Sequence, residues 1–259
     1  MAKLQTTTID LNSDLGESYG VLRIGYDTEL FPLISSANVA CGFHGGDPRT
    51  LERTVAACRQ HGVGIGAHPG FPDLVGFGRR VIAATPDEVR TDALYQLGAL
   101  DAFCRAAGVP MQHVKPHGAL SNVTMKDEGL AGAIAEAIRA YNPELLLFAM
   151  PGSALLAAGE AAGLRIAREA FADRAYNADG SLVNRRLPGA MITEPEEAAR
   201  RMVRLVTEGV LTTIDGQDLK LQADTICTHS DTPGAVEIVQ AVRRGLEAAG
   251  IAIRAPGAP

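Results

Sequence analysis

Seven short apolar segments punctuate the chain, at residues 7–12, 33–40, 62–68, 113–117, 145–150, 165–171 and 224–229. They are rich in Val, Ile, Leu and Thr and bounded by Gly, Pro, Asn or Asp, the pattern of buried strands. Amphipathic stretches fall between most of them, at 49–60, 86–107, 128–141, 195–208 and 235–249. Strands alternating with helices imply parallel βα units, arranged as an open doubly wound sheet or as a closed barrel. Nothing linker-like or repetitive divides the 259 residues, so the sequence predicts one domain spanning 1–259. An irregular piece at 177–188 reads as a loop inserted over one end.

Helix starts are marked by capping chemistry. Thr85-Pro86-Asp87-Glu88 offers a capping Thr, a Pro in the first turn and a Glu three residues on. Thr193-Glu194-Pro195-Glu196 reads the same way, and Asp47 precedes Pro48 as a cap for the second stretch.

The strand ends carry the functional information. Side chains two apart on a strand share a face. Asp10, Asn12 and Asp14 form one such set, and His113, Lys115 and His117 another. Gly62, Gly64, Gly66 and His68, then Arg165, Ala167, Glu169, Phe171 and Asp173, then Cys227, His229 and Asp231 complete the series. Polar groups therefore crowd one face of five strands, mostly toward their carboxyl ends. In a barrel that is the mouth where loops build active sites, and in an open sheet it is the equivalent crevice. Burying such groups in place of a hydrophobic core costs stability unless pairing or function requires it.

Composition excludes several classes. The formal charge is -6 with four lysines in all, so there is no basic footprint for nucleic acid. No apolar run approaches the roughly 20 residues of a membrane helix. The polar start leads straight into a strand pattern, so no signal peptide is expected. Cys41, Cys58, Cys104 and Cys227 are scattered without a CxxC pair, which suits reduced thiols in a cytoplasmic protein.

Familiar motifs fail on inspection. The run from Asp10 suggests a calcium loop, but Leu15 and Val21 stand where Gly and Glu are needed. Gly62, Gly64 and Gly66 are followed by Pro69 and Pro72, which cannot open the helix of a dinucleotide fingerprint. The glycines are expected instead to leave room for a ligand above the third strand. No Gly-Lys dipeptide exists for a phosphate-binding loop, and no Gly-x-Ser-x-Gly elbow occurs. Small residues around 42–46 are read as letting a substrate approach the backbone. There His44 and Asp47 form a candidate acid–base or metal-ligand pair, with capping the commoner role for Asp47.

The segments DLNSDLGE (10–17), NVACGFHGGDP (38–48), GAHPGFPDLVGFGRR (66–80), VKPHGAL (114–120), EAFADRAYNADGSLV (169–183) and ICTHSDTPGA (226–235) together resemble the LamB/YcsF family. They span nearly the whole chain in order. Ser121 stands where the family pattern has Tyr, and Ser230 where it has Gly. The resemblance implies a seven-stranded parallel, TIM-like α/β barrel related to polysaccharide deacetylases and other carbohydrate-processing barrels. It also implies ATP-dependent opening of 5-oxo-L-proline to L-glutamate, with ATP handled together with partner subunits B and C.

The candidate catalytic residues are Asp14, His44, His68, Lys115, His117 and His229, with Asp14 or His68 as base, Lys115 together with Arg174 holding an anion, and His44, His117 and His229 in proton transfer or oxyanion support. Asn12, Asn38, Glu169, Asp173, Arg174 and Asp231 are candidates for binding the substrate. Asp231 has two readings, orienting His229 or capping the following helix. An inward Lys115 must pair with an acid, bind an anion or have a depressed pKa, and Glu169, Asp173 and Asp14 are available as partners. No resident metal is favoured. The rival enzyme reading is a metal-dependent amide or carbohydrate deacetylase using strand-one acids with His44 and His68. A non-catalytic protein that binds a small acid is the third reading, and a homo-oligomer is compatible with all of them.

Overall fold

The computed structural model describes residues 8–257. Strands β1 (Thr8–Leu15), β2 (Ser36–Ala40), β3 (Gly64–His68), β4 (Met111–Val114), β5 (Leu146–Ala149) and β6 (Arg165–Phe171) pair in succession, all parallel. A short antiparallel hairpin, β7 (Val210–Thr212) with β8 (Asp218–Lys220), intervenes. Strand β9 (Thr225–His229) then pairs with both β6 and β1 and closes a seven-stranded barrel. Of the two expected architectures, the closed one is formed. Strand β10 (Ala252–Ile253) adds to the start of β1, with Thr8 opposite Ala252.

Eight helices lie along the described residues: α1 (Asp27–Leu30), α2 (Pro48–His61), α3 (Pro86–Ala107), α4 (Gly118–Val123), α5 (Glu128–Tyr141), α6 (Ala154–Ala161), α7 (Pro195–Glu208) and α8 (Ala235–Ala248). Thr85 accepts from the Glu88 N–H while Glu88 accepts from the Thr85 N–H, so the capping box forms as expected. Asp47 caps α2 through the Arg49 and Thr50 amides. Thr193 does not repeat that chemistry. The residue ahead of α7 is Glu194, which makes no side-chain cap. Helices α4 and α6 leave little trace in the sequence pattern, because α4 is short and α6 is too Ala-rich for a clear polar face.

Outward-facing strand residues such as Leu11, Val39, Ile65, Ala67, Val114, Leu147 and Ile226 are buried against the helices. Each large apolar side chain so buried contributes about 1.5–3 kcal/mol. The barrel interior is different. A small apolar plug of Leu146, Phe148 and Ala167 is separate from the outer core, and polar side chains fill the remainder. Strand β1 runs past its expected end at 12 to Leu15, which carries Asp14 inside. The ladder of β4 stops at Val114, since Pro116 has no N–H to offer. Lys115 and His117 still donate their amides to Ala67 and Pro69, so the face shared with His113 persists.

Candidate active site at the carboxyl end of the barrel

The interior polar groups are stacked in layers. Lowest is Asp10, whose carboxylate accepts from the hydroxyls of Ser35, Ser36 and Thr225. Burial pushes its pKa up to about 6 against the pull of those donors. Above it, Asn12 donates to Thr225 and Glu169, and Asn38 donates to Asn12 and Asp14. His113 Nε2 lies 2.8 Å from Asn38, and the ring stacks on Phe148. Burial, then the charge of Lys115, lowers the His113 pKa to about 3, so this imidazole is neutral.

Lys115 occupies the next layer. Its Nζ lies 2.7 Å from Asp14, 3.0 Å from Cys227 Sγ and 3.2 Å from Glu169. Its three N–H groups are thus matched by three protein acceptors, Asp14 and Glu169 among the expected partners and Asp173 not. Burial opposes the ammonium, yet these neighbours hold its pKa well above the ordinary value. Asp14 is held well below its own value despite burial, chiefly by His68 and Lys115. Burial lifts Glu169 to about 7, only partly offset by Lys115.

At the mouth the groups separate into two sets around Asp14. On one side His229 Nδ1 lies 2.9 Å from Asp173, which also accepts from Thr232. Burial would raise Asp173, but His229 brings it down to about 2. His229 Nε2 then points toward Asp14, 4.0 Å away. On the other side His68 Nε2 lies 3.4 Å from Asp14. There His44, His68, His117 and Glu17 converge, with one donor atom of each within 4.8 Å of the others. This buried set could hold a metal ion.

Glycines shape the site in a way the sequence did not reveal. The space over Gly66 is filled by the His113 ring and that over Gly64 by Gln112, not by a ligand. Gly62, with φ 68, is the C-cap of α2 rather than a strand residue. The small residues at 45–46 admit the chain's own backbone. A Cβ on Gly45 would lie 2.7 Å from the Glu17 carbonyl oxygen, and one on Gly46 2.9 Å from that of Ala40. Gly70 and Gly78 likewise make room for His44 and His117.

The loop between β3 and α3 covers the histidines. The Phe77 carbonyl accepts from His117 Nε2. Phe77 itself adopts φ 54, the one non-glycine positive φ among the described residues. Arg80 pairs with Asp73 within the loop, and Arg79 reaches across to Asp231 at 2.7 Å. His44, His68, His117, Asp14 and Lys115 are consequently buried, while the His229 ring is 12% exposed. A separate cavity of about 270 Å³, lined by Ser18, Arg23, Asp27 and Arg53 among others, includes none of these groups.

Several expected roles change. Asp231 neither orients His229 nor caps α8, which begins after Gly234 without a side-chain cap. It pairs with Arg79, and Asp173 orients His229 instead. Asp47 makes no pair with His44. Its carboxylate takes the Gly20, Arg49 and Thr50 amides and is held at about 2, chiefly by the Gly20 N–H. Arg174 donates to the Val183 carbonyl within the 174–191 loop, its Nε buried without a partner among the described residues. Burial, then nearby Arg185, lowers its pKa to about 10. Cys41 is a buried thiol pushed up to about 12 by burial, unsuited to nucleophilic attack. Ser230 fills space beside Gly25, where any Cβ would meet it.

Sequence periodicity does not point to Glu17, Phe77 or Arg79 as site residues. Glu17 lies beyond the last alternating position of β1, after a turn at Gly16 with φ 69. Strand periodicity ends there and cannot place it. The GFGRR run around Phe77 and Arg79 signals a tight loop but not its destination.

A family model described as LamB/YcsF matches residues 9–258. The chain belongs to the LamB/YcsF family. Among curated relatives of this LamB/YcsF protein, the 5-oxoprolinase A subunit of Symbiobacterium thermophilum is 55% identical over 250 residues, 96% of each chain. The relative of the same name from a Thermus thermophilus strain is 53% identical over 247 residues, 95% of this chain and 99% of the relative. The crystal structure of a lactam utilization protein from Thermus thermophilus superimposes with a TM-score of 0.93 at 52% identity. The match covers 96% of this chain and all of that one. No helix among the described residues is long and apolar enough to cross a membrane.

Proposed function

We propose that this LamB/YcsF protein is the A subunit of a 5-oxoprolinase, which opens 5-oxo-L-proline to L-glutamate with ATP and with partner subunits B and C. The reading is carried by a nearly full-length match, at 55% identity, to a protein named as the A subunit of 5-oxoprolinase. The site geometry supports it, because acids and imidazoles are grouped at a barrel mouth where a cyclic amide can be attacked.

A five-membered lactam is a poor electrophile. Transfer of the terminal phosphoryl group of ATP to the amide oxygen makes the ring carbon far more reactive toward water. Water adds there and the ring C–N bond breaks as the nitrogen takes up a proton; the acyl phosphate so formed is hydrolysed by a second water to L-glutamate and inorganic phosphate. The absence of a phosphate-binding loop motif is consistent with partner subunits handling ATP.

His229 is the group best suited to take the proton from water. Its Nδ1 is held by Asp173, so Nε2 offers a lone pair at the exposed edge of the site. Asp14, held well below the ordinary carboxylate range, is a weak base and acts by fixing charge between His229, His68 and Lys115. Lys115, fully engaged by protein acceptors, positions Asp14 rather than binding the substrate. Arg174 remains the buried cation near Asp173 available to a carboxylate.

The deciding measurement is glutamate release from 5-oxoproline by the purified chain, alone and with subunits B and C, with and without ATP. Release requiring partners and ATP is expected, and Asp14→Asn and His229→Asn should each abolish it in an intact assembly. No release from folded, assembled protein would overturn the reading in favour of another amide hydrolase or a binding protein.

A further inference from the structure

We propose that His68, His117 and Glu17 hold a divalent cation of the zinc class, with His44 completing the shell. Two backbone carbonyls fix where the ring protons are. His68 Nδ1 lies 2.7 Å from the Lys115 carbonyl, and His117 Nε2 lies 2.8 Å from the Phe77 carbonyl. A carbonyl oxygen only accepts, so each ring must donate to it. In the neutral rings the opposite nitrogens, His68 Nε2 and His117 Nδ1, present lone pairs, and they face each other at 3.0 Å. Glu17 Oε1 lies 3.3 Å from the same His117 nitrogen and 3.2 Å from His44 Nε2. One cation placed between these atoms would meet all of them at once, where a proton on Glu17, whose carboxyl burial holds well above its ordinary range, could serve only one.

The spacing suits a metal ion in that role. Four ligands at about 2.0–2.1 Å around a tetrahedral ion lie roughly 3.3 Å from one another. The contacts of 3.0 to 3.3 Å fall near that edge length. The His68 and His117 rings cross at 85°, so an ion can lie in the plane of both. His44 stacks parallel to His117 at 3.7 Å and joins only after its ring tilts. Three ligands plus a recruitable fourth is the arrangement of a site that keeps a position open. Backbone carbonyls that orient ligating imidazoles are the usual outer shell of such sites. An imidazole-rich set selects zinc and its first-row neighbours over magnesium or calcium.

The test needs no substrate, so its outcome is independent of the 5-oxoprolinase reading. Protein stripped with a chelator and dialysed is titrated with Zn²⁺ by calorimetry, and with Co²⁺ while its visible ligand-field absorption is recorded. Circular dichroism confirms that every sample is folded. Wild type should take up about one equivalent and give the intense visible bands of a four- or five-coordinate cobalt ion. His117→Gln and Glu17→Gln should weaken uptake by at least about 100-fold, whereas His229→Asn, outside the cluster, should leave it unchanged. Folded wild type without saturable uptake overturns the proposal. So does uptake that His229→Asn abolishes while His117→Gln and Glu17→Gln leave it intact.

Discussion

His229 and Asp173 face each other across the barrel mouth, Nδ1 to carboxylate at 2.9 Å, although 56 residues separate them in sequence. The pair fixes which imidazole nitrogen is free to meet a substrate. Asp173→Asn keeps the shape but removes the charge and can turn an N–H toward Nδ1, so this tautomer is no longer selected. We expect turnover in the reconstituted assembly to fall by roughly 100-fold to 10,000-fold, with KM nearly unchanged. A larger effect on KM than on kcat would instead assign Asp173 to substrate binding.

Asp10 sits at the other end of the interior and gives a pH signature. Its folded pKa of about 6 exceeds the ordinary 3.8, so between those values the folded state binds more protons than the unfolded one. The contribution of Asp10 to stability therefore falls as pH rises through that window, by at most about 3 kcal/mol. Asp10→Asn, neutral throughout, should flatten this part of the curve in urea melts. The pH dependence that persists is shared by Asp27 and Glu169, raised to about 6 and about 7 by burial, and by His113, whose lowered pKa acts with the opposite sign. Parallel curves for variant and wild type would show that Asp10 does not titrate there.

The Arg79–Asp231 pair ties the histidine-covering loop to the loop after β9, and both side chains are partly exposed. Arg79→Ala should change global stability by less than about 1 kcal/mol. Hydrogen exchange in residues 71–80 should nevertheless accelerate, because the strap is released at one end. Unchanged exchange in that segment would mean that Asp73, Arg80 and Phe77 hold the loop without it.

Two glycines separate space from conformation. Gly66→Ala drives a methyl group into the His113 ring and should cost several kcal/mol or prevent folding. Gly98, exposed within α3, has nothing within 4 Å of an added Cβ. Gly98→Ala should therefore raise stability by about 0.5–1 kcal/mol. Equal effects from the two substitutions, measured by thermal melts, would show that the space above each glycine does not decide the outcome.

Local chemistry was legible in the sequence wherever one element sufficed. The alternation of Asp10, Asn12 and Asp14 announced a polar interior, and Thr85 with Glu88 announced the start of α3. What stayed hidden depended on partners brought together by closure of the barrel. Arg79 and Asp231 lie 152 residues apart, and no local pattern pairs them. The glycines of β3 advertised empty space, but only the fold reveals that His113 fills it. Glu17 escaped because a single left-handed turn at Gly16 breaks the two-residue rhythm that located its neighbours.

The pairing of β10 with the first residues of β1 has a practical corollary. Thr8 and Ala252 are neighbours on the floor of the barrel, the side opposite Asp14 and His229. A probe attached beside Thr8 or Ala252 therefore leaves the mouth clear for other proteins to approach.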